Sequence, residues 1–229
     1  MAMTVGDYVI ERLYQWGVRR IYGYPGDGIN GVFGALNRSN EKIRFIQARH
    51  EEMAAFMASA DAKFNGGLGV CIATSGPGAT NLVTCIADAY MDSIPMIAIT
   101  GQVYQEFIGK AAFQETDFFG MTLPIVKHSY LVLTPEDLLR VVKEAFYLAV
   151  SGRPGPVVID IPKDLTHPER KFDYHYPESA SLRSYQPSNK GHTGQIRKAA
   201  RLLLSAKRPV IYAGGGVIQG EGCELLTTL

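Results

Sequence analysis

Apolar residues fall along this chain in two kinds of run. Ile21 to Tyr24, Ile43 to Gln47, Leu68 to Ala73, Ile94 to Thr100, Ser129 to Leu133 and Pro156 to Ile161 are short and largely aliphatic, with the length of strands. Leu68 to Ala73 shows no polar alternation, the pattern of a strand covered on both faces in a parallel sheet. Between these runs the apolar spacing changes to three and four. Val5, Val9, Ile10 and Leu13 mark a helix over Thr4 to Trp16, with Thr4 as its cap and Asp7 three residues on. Leu138, Val142, Ala145, Phe146 and Ala149 mark another behind Thr134-Pro135, a cap followed by an N1 proline. Further helices are predicted over Val32 to Leu36, from Glu51 to about Phe64 with a stop at Asn65-Gly66-Gly67, and from the turn at Gly76 to Tyr90.

Six strands alternating with helices predict an α/β fold: a doubly wound, mainly parallel six-stranded sheet with helices on both faces. Ligands of such sheets sit beyond the carboxyl ends of the strands. Two glycine turns, at Gly26 and Gly76, fall at those ends, as does the polar stretch Val103 to Asp117, whose length without a regular element marks it as functional. The first domain is expected over residues 1–165. Residues 166–190, rich in Pro, Ser, Tyr and mixed charge, read as a linker. Over 191–229 a helix (Gln195 to Ser205), a strand (Pro209 to Ala213) and Gly214-Gly215-Gly216 read as the truncated start of a second α/β domain, and the chain as a fragment of a longer protein.

Composition narrows the function classes. The net charge of +1 and the absence of basic runs longer than pairs argue against nucleic acid. Cys71, Cys85 and Cys223 are odd in number and lack C-x-x-C spacing, which fits a reducing cytoplasm. No apolar run has the length of a membrane span.

Candidate chemistry centres on Arg49-His50-Glu51-Glu52, charged residues set between a strand and an Ala/Met-rich helix. Arg49 and Glu52 read as solvated. Glu51 is either a helix N-terminal acid favoured by the macrodipole or a functional acid aimed into a cleft. Gly26-Asp27-Gly28-Ile29-Asn30-Gly31 matches G-x-G-x-x-G and precedes Glu51 by twenty residues, the layout of a dinucleotide fingerprint. Pro25 stiffens that turn, however, and Glu51 lies four residues past Gln47 instead of at the strand tip, where a ribose-binding acid belongs.

The set Tyr24-Pro25-Gly26, His50-Glu51, Thr74-Ser75-Gly76-Pro77-Gly78-Ala79-Thr80-Asn81, Ile94-Pro95-Met96, Gly101-Gln102, Phe113-Gln114-Glu115 and Gly152-Arg153-Pro154-Gly155-Pro156-Val157 resembles the pyrimidine-binding domain of thiamine diphosphate enzymes. Acetolactate synthases are the most similar, with pyruvate oxidases behind them. The likeness runs from about Thr4 to Leu165. It implies an enzyme that decarboxylates pyruvate or a similar 2-keto acid and joins the two-carbon unit to a second keto acid, as in branched-chain amino acid biosynthesis. The runner-up implications are a pyruvate oxidase or decarboxylase and, from another class, a dinucleotide-binding module without chemistry.

The resemblance assigns Glu51 the hydrogen bond to N1′ of the aminopyrimidine. It assigns Tyr24, Pro25, Gly26, Thr74, Pro77, Gly78 and Asn81 to the pyrimidine pocket, Gln114 and Phe113 to the vicinity of cofactor and substrate, and Lys127 to the substrate entrance. Gly214, Gly215 and Gly216 look like an FAD-contacting turn, FAD being an optional cofactor. The family holds Mg²⁺ and the diphosphate through a separate C-terminal domain, so no metal ligands are expected in this chain. Because the family assembles its site between subunits, a homodimer or higher homo-oligomer is expected and the chain alone is expected to be inactive. Asp27-Gly28 departs from the Gly-Ala common in synthases and is more reminiscent of pyruvate oxidases.

Overall fold

The computed structural model describes residues 2–229. Its strands are β1 (Ala2–Met3), β2 (Arg20–Gly23), β3 (Arg44–Gln47), β4 (Gly69–Ala73), β5 (Met96–Gln102), β6 (His128–Leu131), β7 (Pro156–Pro162) and β8 (Phe172–Asp173). Its helices are α1 (Val5–Gln15), α2 (Asn30–Arg38), α3 (Glu51–Asn65), α4 (Pro77–Thr80), α5 (Val83–Met91), α6 (Phe118–Thr122), α7 (Pro135–Val150), α8 (Thr193–Ser205), α9 (Gly215–Gln219) and α10 (Cys223–Thr228). The principal sheet has the order β3-β2-β4-β5-β7-β6, and every neighbouring pair is parallel.

The apolar runs build this sheet by splitting their side chains between two layers. Val70 and Ile72, Ile97 and Ile99, and Val157 and Ile159 join the core formed with α1, α2 and α7. Cys71 and Ala73, Met96 and Ala98, and Val158 join the core formed with α3 and α5. Continuous apolarity is thus the period-two pattern of a strand with both faces covered. The Thr4 capping box predicted for α1 is present, with Thr4 Oγ1 accepting from Asp7 N at 3.1 Å and Asp7 Oδ2 from Thr4 N at 3.3 Å. Thr134 caps α7 in the expected way. Ile97 is fully buried on the central strand β5; Ile97→Ala should lower the unfolding free energy by about 2–5 kcal/mol, read from the urea midpoint.

The chain runs from β2 to β3 at one edge and then places β4 on the other side of β2. The carboxyl ends of β2 and β4 therefore flank the point where strand order reverses, which opens a crevice there.

Several elements differ from the expectation. The helix predicted through Tyr90 is two pieces, α4 and α5. The chain divides into two compact units, the first ending at Tyr185 and the second spanning Gln186–Leu229. Residues 166–190 do not form a free linker, because the part up to Tyr185 packs into the first unit. There β8 pairs antiparallel with β1, Tyr174 stacks on Tyr8 at 4.6 Å, and Tyr176 OH accepts from Trp16 Nε1 at 3.0 Å. Phe172, Tyr174 and Tyr176 alternate along an extended segment and present their rings to one side, a period of two among charges that does not register as an apolar run. In the second unit Pro209 to Ala213 is not a strand. A strand is held by ladder hydrogen bonds to a neighbour, and the second unit, described as α8, α9 and α10, offers no paired one.

Candidate functional site

Glu51 stands at the first position of α3, where the helix dipole favours a carboxylate. His50 is the N-cap, its Nδ1 accepting from Glu52 N at 3.3 Å. Arg49 and His50 are exposed, while Glu51 is half-buried. Its Oε2 accepts from Asn81 Nδ2 at 3.0 Å, so the turn after β4 fixes the acid delivered by the loop after β3. A Cβ on Gly78 would lie 2.6 Å from Thr74 Cγ2 and 3.3 Å from Glu51 Oε1. The bare backbone of Gly78 therefore leaves room in front of the second carboxylate oxygen. Thr74 Oγ1 accepts from Gly28 N at 2.9 Å, stitching the turns after β2 and β4 together across the crevice. Tyr24 and Pro25 lie exposed at the end of β2, Gly26 packs on Thr74, and Pro77 opens α4. The structure thus brings together Glu51, Gly26, Thr74, Gly78 and Asn81.

On the other side of the Thr74–Gly78 turn lies a cleft of about 360 Å³. Gly28, Ser75, Gln102, Tyr104, Phe107, Phe113, Gln114 and Lys163 line it. The loop 103–117 supplies much of this wall, with Phe113 88% exposed and Gln114 held at φ 62°. Glu115 ties the loop tip, its carboxylate accepting from Gly109 N and, at 3.0 Å, from Ala112 N. Those backbone N–H groups, that of Gly109 first, hold the Glu115 carboxyl below its ordinary range. Gly76 sits at φ 59°, and a Cβ there would meet Gln114 O at 2.5 Å. Gly76→Ala should therefore displace Gln114 and destabilise the fold by about 1–3 kcal/mol, seen as a lowered thermal midpoint.

Charge in the cleft comes from Lys163, which sequence reasoning missed. Its Nζ pairs with Asp27 Oδ2 at 2.5 Å. The signal that could have found it is its place just beyond Pro162, at the carboxyl end of β7. Lys127, by contrast, is not a cleft residue. Its Nζ donates to Leu148 O and, at 2.8 Å each, to Ser151 O and Tyr185 OH. It caps the carbonyl end of α7, where a cation is favoured by the helix dipole. Gly214, Gly215 and Gly216 lie in the second unit at the start of α9, with open space around each.

Behind the cleft is a carboxyl that sequence reasoning also passed over. Asp160 of β7 is 1% exposed and accepts from Thr100 Oγ1 at 2.7 Å and Gln102 Nε2 at 3.0 Å. Burial pushes it up to about 7, and the Asp117 charge adds to the shift while the two donors oppose it.

The crevice suits an aminopyrimidine. A flat ring requires close approach of backbone, which Gly78 permits, and its ring nitrogen requires a partner able to hold a proton, which Glu51 offers on the oxygen not taken by Asn81. Among the described residues no cluster of three His, Cys, Asp or Glu side chains is gathered that could hold a metal ion, and no helix is long and apolar enough to cross a membrane.

The acetolactate synthase large subunit of Buchnera aphidicola (subsp. Schizaphis graminum) is 50% identical over 224 residues, covering 98% of this chain and 39% of that protein. The isozyme 3 large subunit of Escherichia coli K12 is 49% identical over 225 residues, with the same coverage. The acetolactate synthase of Mycobacterium bovis is 49% identical over 227 residues, covering 99% of this chain and 36% of that protein. The chain thus spans about two fifths of the length of these relatives. Residues 3–121 match the family described as "Thiamine pyrophosphate enzyme, N-terminal TPP binding domain". With that match over more than half of its 229 residues, the chain belongs to the thiamine pyrophosphate enzymes and carries their N-terminal TPP binding domain.

Proposed function

We propose that this chain is the pyrimidine-binding part of an acetolactate synthase-type enzyme that acts on pyruvate or a similar 2-keto acid in the cytoplasm. The observation that carries the proposal is Glu51, oriented by Asn81 beside the open backbone of Gly78 at the strand-order reversal. When bound, thiamine diphosphate supplies the electron sink for decarboxylating the keto acid. Glu51 then holds and returns a proton at N1′ of the pyrimidine, Asn81 keeps the carboxyl in line, and Thr74 with Gly26 and Gly78 forms the wall against which the ring lies. Tyr24, Pro25 and Pro77 complete the rim. The cleft beside it, with Phe113, Gln114 and the Lys163–Asp27 pair on its wall, has the size for a small keto acid. Mg²⁺ and the diphosphate are assigned to a separate C-terminal domain, as the resemblance implies. Gly214 to Gly216 are the candidate FAD contact.

One apolar feature supports self-association. Met53, Phe56 and Phe64 lie on one exposed face of α3, with Met91 exposed on the neighbouring α5. A homodimer covering this face completes the assembly; sedimentation showing only monomer at micromolar concentration would count against it.

A second reading is favoured by Asp27. Its carboxylate pairs with Lys163 at the cleft wall, where a second, anionic keto acid would meet a cation already neutralised. That suits an oxidase or decarboxylase better than a ligase. The deciding experiment is product analysis from pyruvate by the intact enzyme carrying this chain. Acetolactate supports the synthase, whereas acetate with electron transfer to oxygen or a quinone, or acetaldehyde, supports the second reading. Release of none of these, with thiamine diphosphate and Mg²⁺ present, removes both readings.

A further inference from the structure

We propose that Asp160 and Gln102 form a latch that sets the position of the loop 103–117, and through it the cleft wall made by Phe113 and Gln114. The inference rests on the cleft reading above for its functional meaning, and on bonding alone for the latch itself. Gln102 is 5% exposed at the last position of β5, and its amide is fully engaged. Nε2 donates to Thr116 O at 2.9 Å and to Asp160 Oδ2 at 3.0 Å, and Oε1 accepts from Val103 N at 2.8 Å. One side chain thereby grips both ends of the loop, Val103 where it leaves the sheet and Thr116 where it returns.

Asp160 decides which way that amide faces. A buried carboxyl is costly unless donors converge on it, and among the described residues no lysine or arginine forms an ion pair with it. Thr100 Oγ1 occupies one of its oxygens. The other accepts one N–H of Gln102 and so directs the second N–H to Thr116. With the loop tip bound into one body by Glu115, its placement depends on these attachments at the base. Gln105 adds two more, its N donating to Asp164 Oδ1 at 3.1 Å and its Nε2 to Leu133 O. Asp160 and Gln102 are positioning residues: they act on the cleft through the loop.

The loop carries one tryptic site, Lys110, which is exposed. The test is the rate of native-state cleavage after Lys110, measured without ligand on this chain and on Asp160→Leu, Asp160→Asn and Gln102→Met, with thermal midpoints measured alongside. Asp160→Asn keeps an oxygen that can accept from Gln102, so its rate should stay within about twofold of the parent. Asp160→Leu and Gln102→Met remove the latch and should cleave about tenfold faster, the effect of losing one well-placed hydrogen bond on an opening equilibrium. If Asp160→Leu does not fold, Gln102→Met against the parent decides. Unchanged cleavage in Gln102→Met, or acceleration in Asp160→Asn equal to that in Asp160→Leu, overturns the latch. Pyruvate is then added to the intact enzyme carrying the parent chain, with thiamine diphosphate and Mg²⁺ present. Protection of Lys110 bears on the cleft reading, and its absence would remove that reading while leaving the latch standing.

Discussion

Glu51→Gln in the intact enzyme should lower turnover of pyruvate by roughly 10²- to 10⁴-fold, the range carried by a positioned acid-base group. The amide has the shape of the carboxyl and still offers an oxygen to Asn81 Nδ2, now 3.0 Å from Glu51 Oε2. It cannot hold or return a proton at the pyrimidine. Loss of a charge at the first turn of α3 costs only about 0.3–1 kcal/mol, and Glu52 remains in the same turn. The signature is therefore a collapse of kcat with a thermal midpoint moved by no more than a few degrees. A variant with near-parental kcat would return Glu51 to the role of a helix N-terminal charge.

The second large effect concerns pH. Asp160 is held near 7 in the fold, against an ordinary value of 3.8. The folded state binds this proton more tightly than the unfolded chain, so its stabilisation is complete below about pH 4 and is lost as pH rises toward 7. Three units correspond to about 4 kcal/mol as an upper bound. Urea unfolding at pH 4.5, 6 and 8 should show that decline superimposed on other titrations, and Asp160→Asn, which cannot ionise, should remove it. Equal pH slopes for parent and variant would mean that Asp160 titrates as an ordinary acid. Glu115 acts in the opposite sense and locally. Its carboxyl is lowered by the loop amides, so the order it confers on the loop tip is lost on acidification.

Much of the fold was legible because each strand announces itself locally. Val70 and Ile72 on one face, with Cys71 and Ala73 on the other, can only be a strand covered twice, and Thr4 and Thr134 mark helix starts through bonds made within three residues. The candidate site was legible in part for the same reason: the turns at Gly26 and Thr74 to Asn81 and the acid Glu51 fall at strand ends. Lys163 was overlooked, since its place at the carboxyl end of β7 points to the cleft only once β7 lies next to β5 and carries it there. The bonds of Lys127 were not legible either, because the acceptors that occupy it, in α7, at Ser151 and at Tyr185, are remote in the chain.

Strand and helix periods, caps, glycine turns and the order of motifs were determined by the amino-acid sequence alone, because those signals act between neighbours. Which strands adjoin was decided only in three dimensions. That adjacency put Asn81 against Glu51, Asp160 behind Gln102, Lys163 opposite Asp27, and the aromatic segment after Phe172 onto α1. Contacts between residues tens of positions apart leave no periodic trace, since they exist only after the sheet has closed the distance.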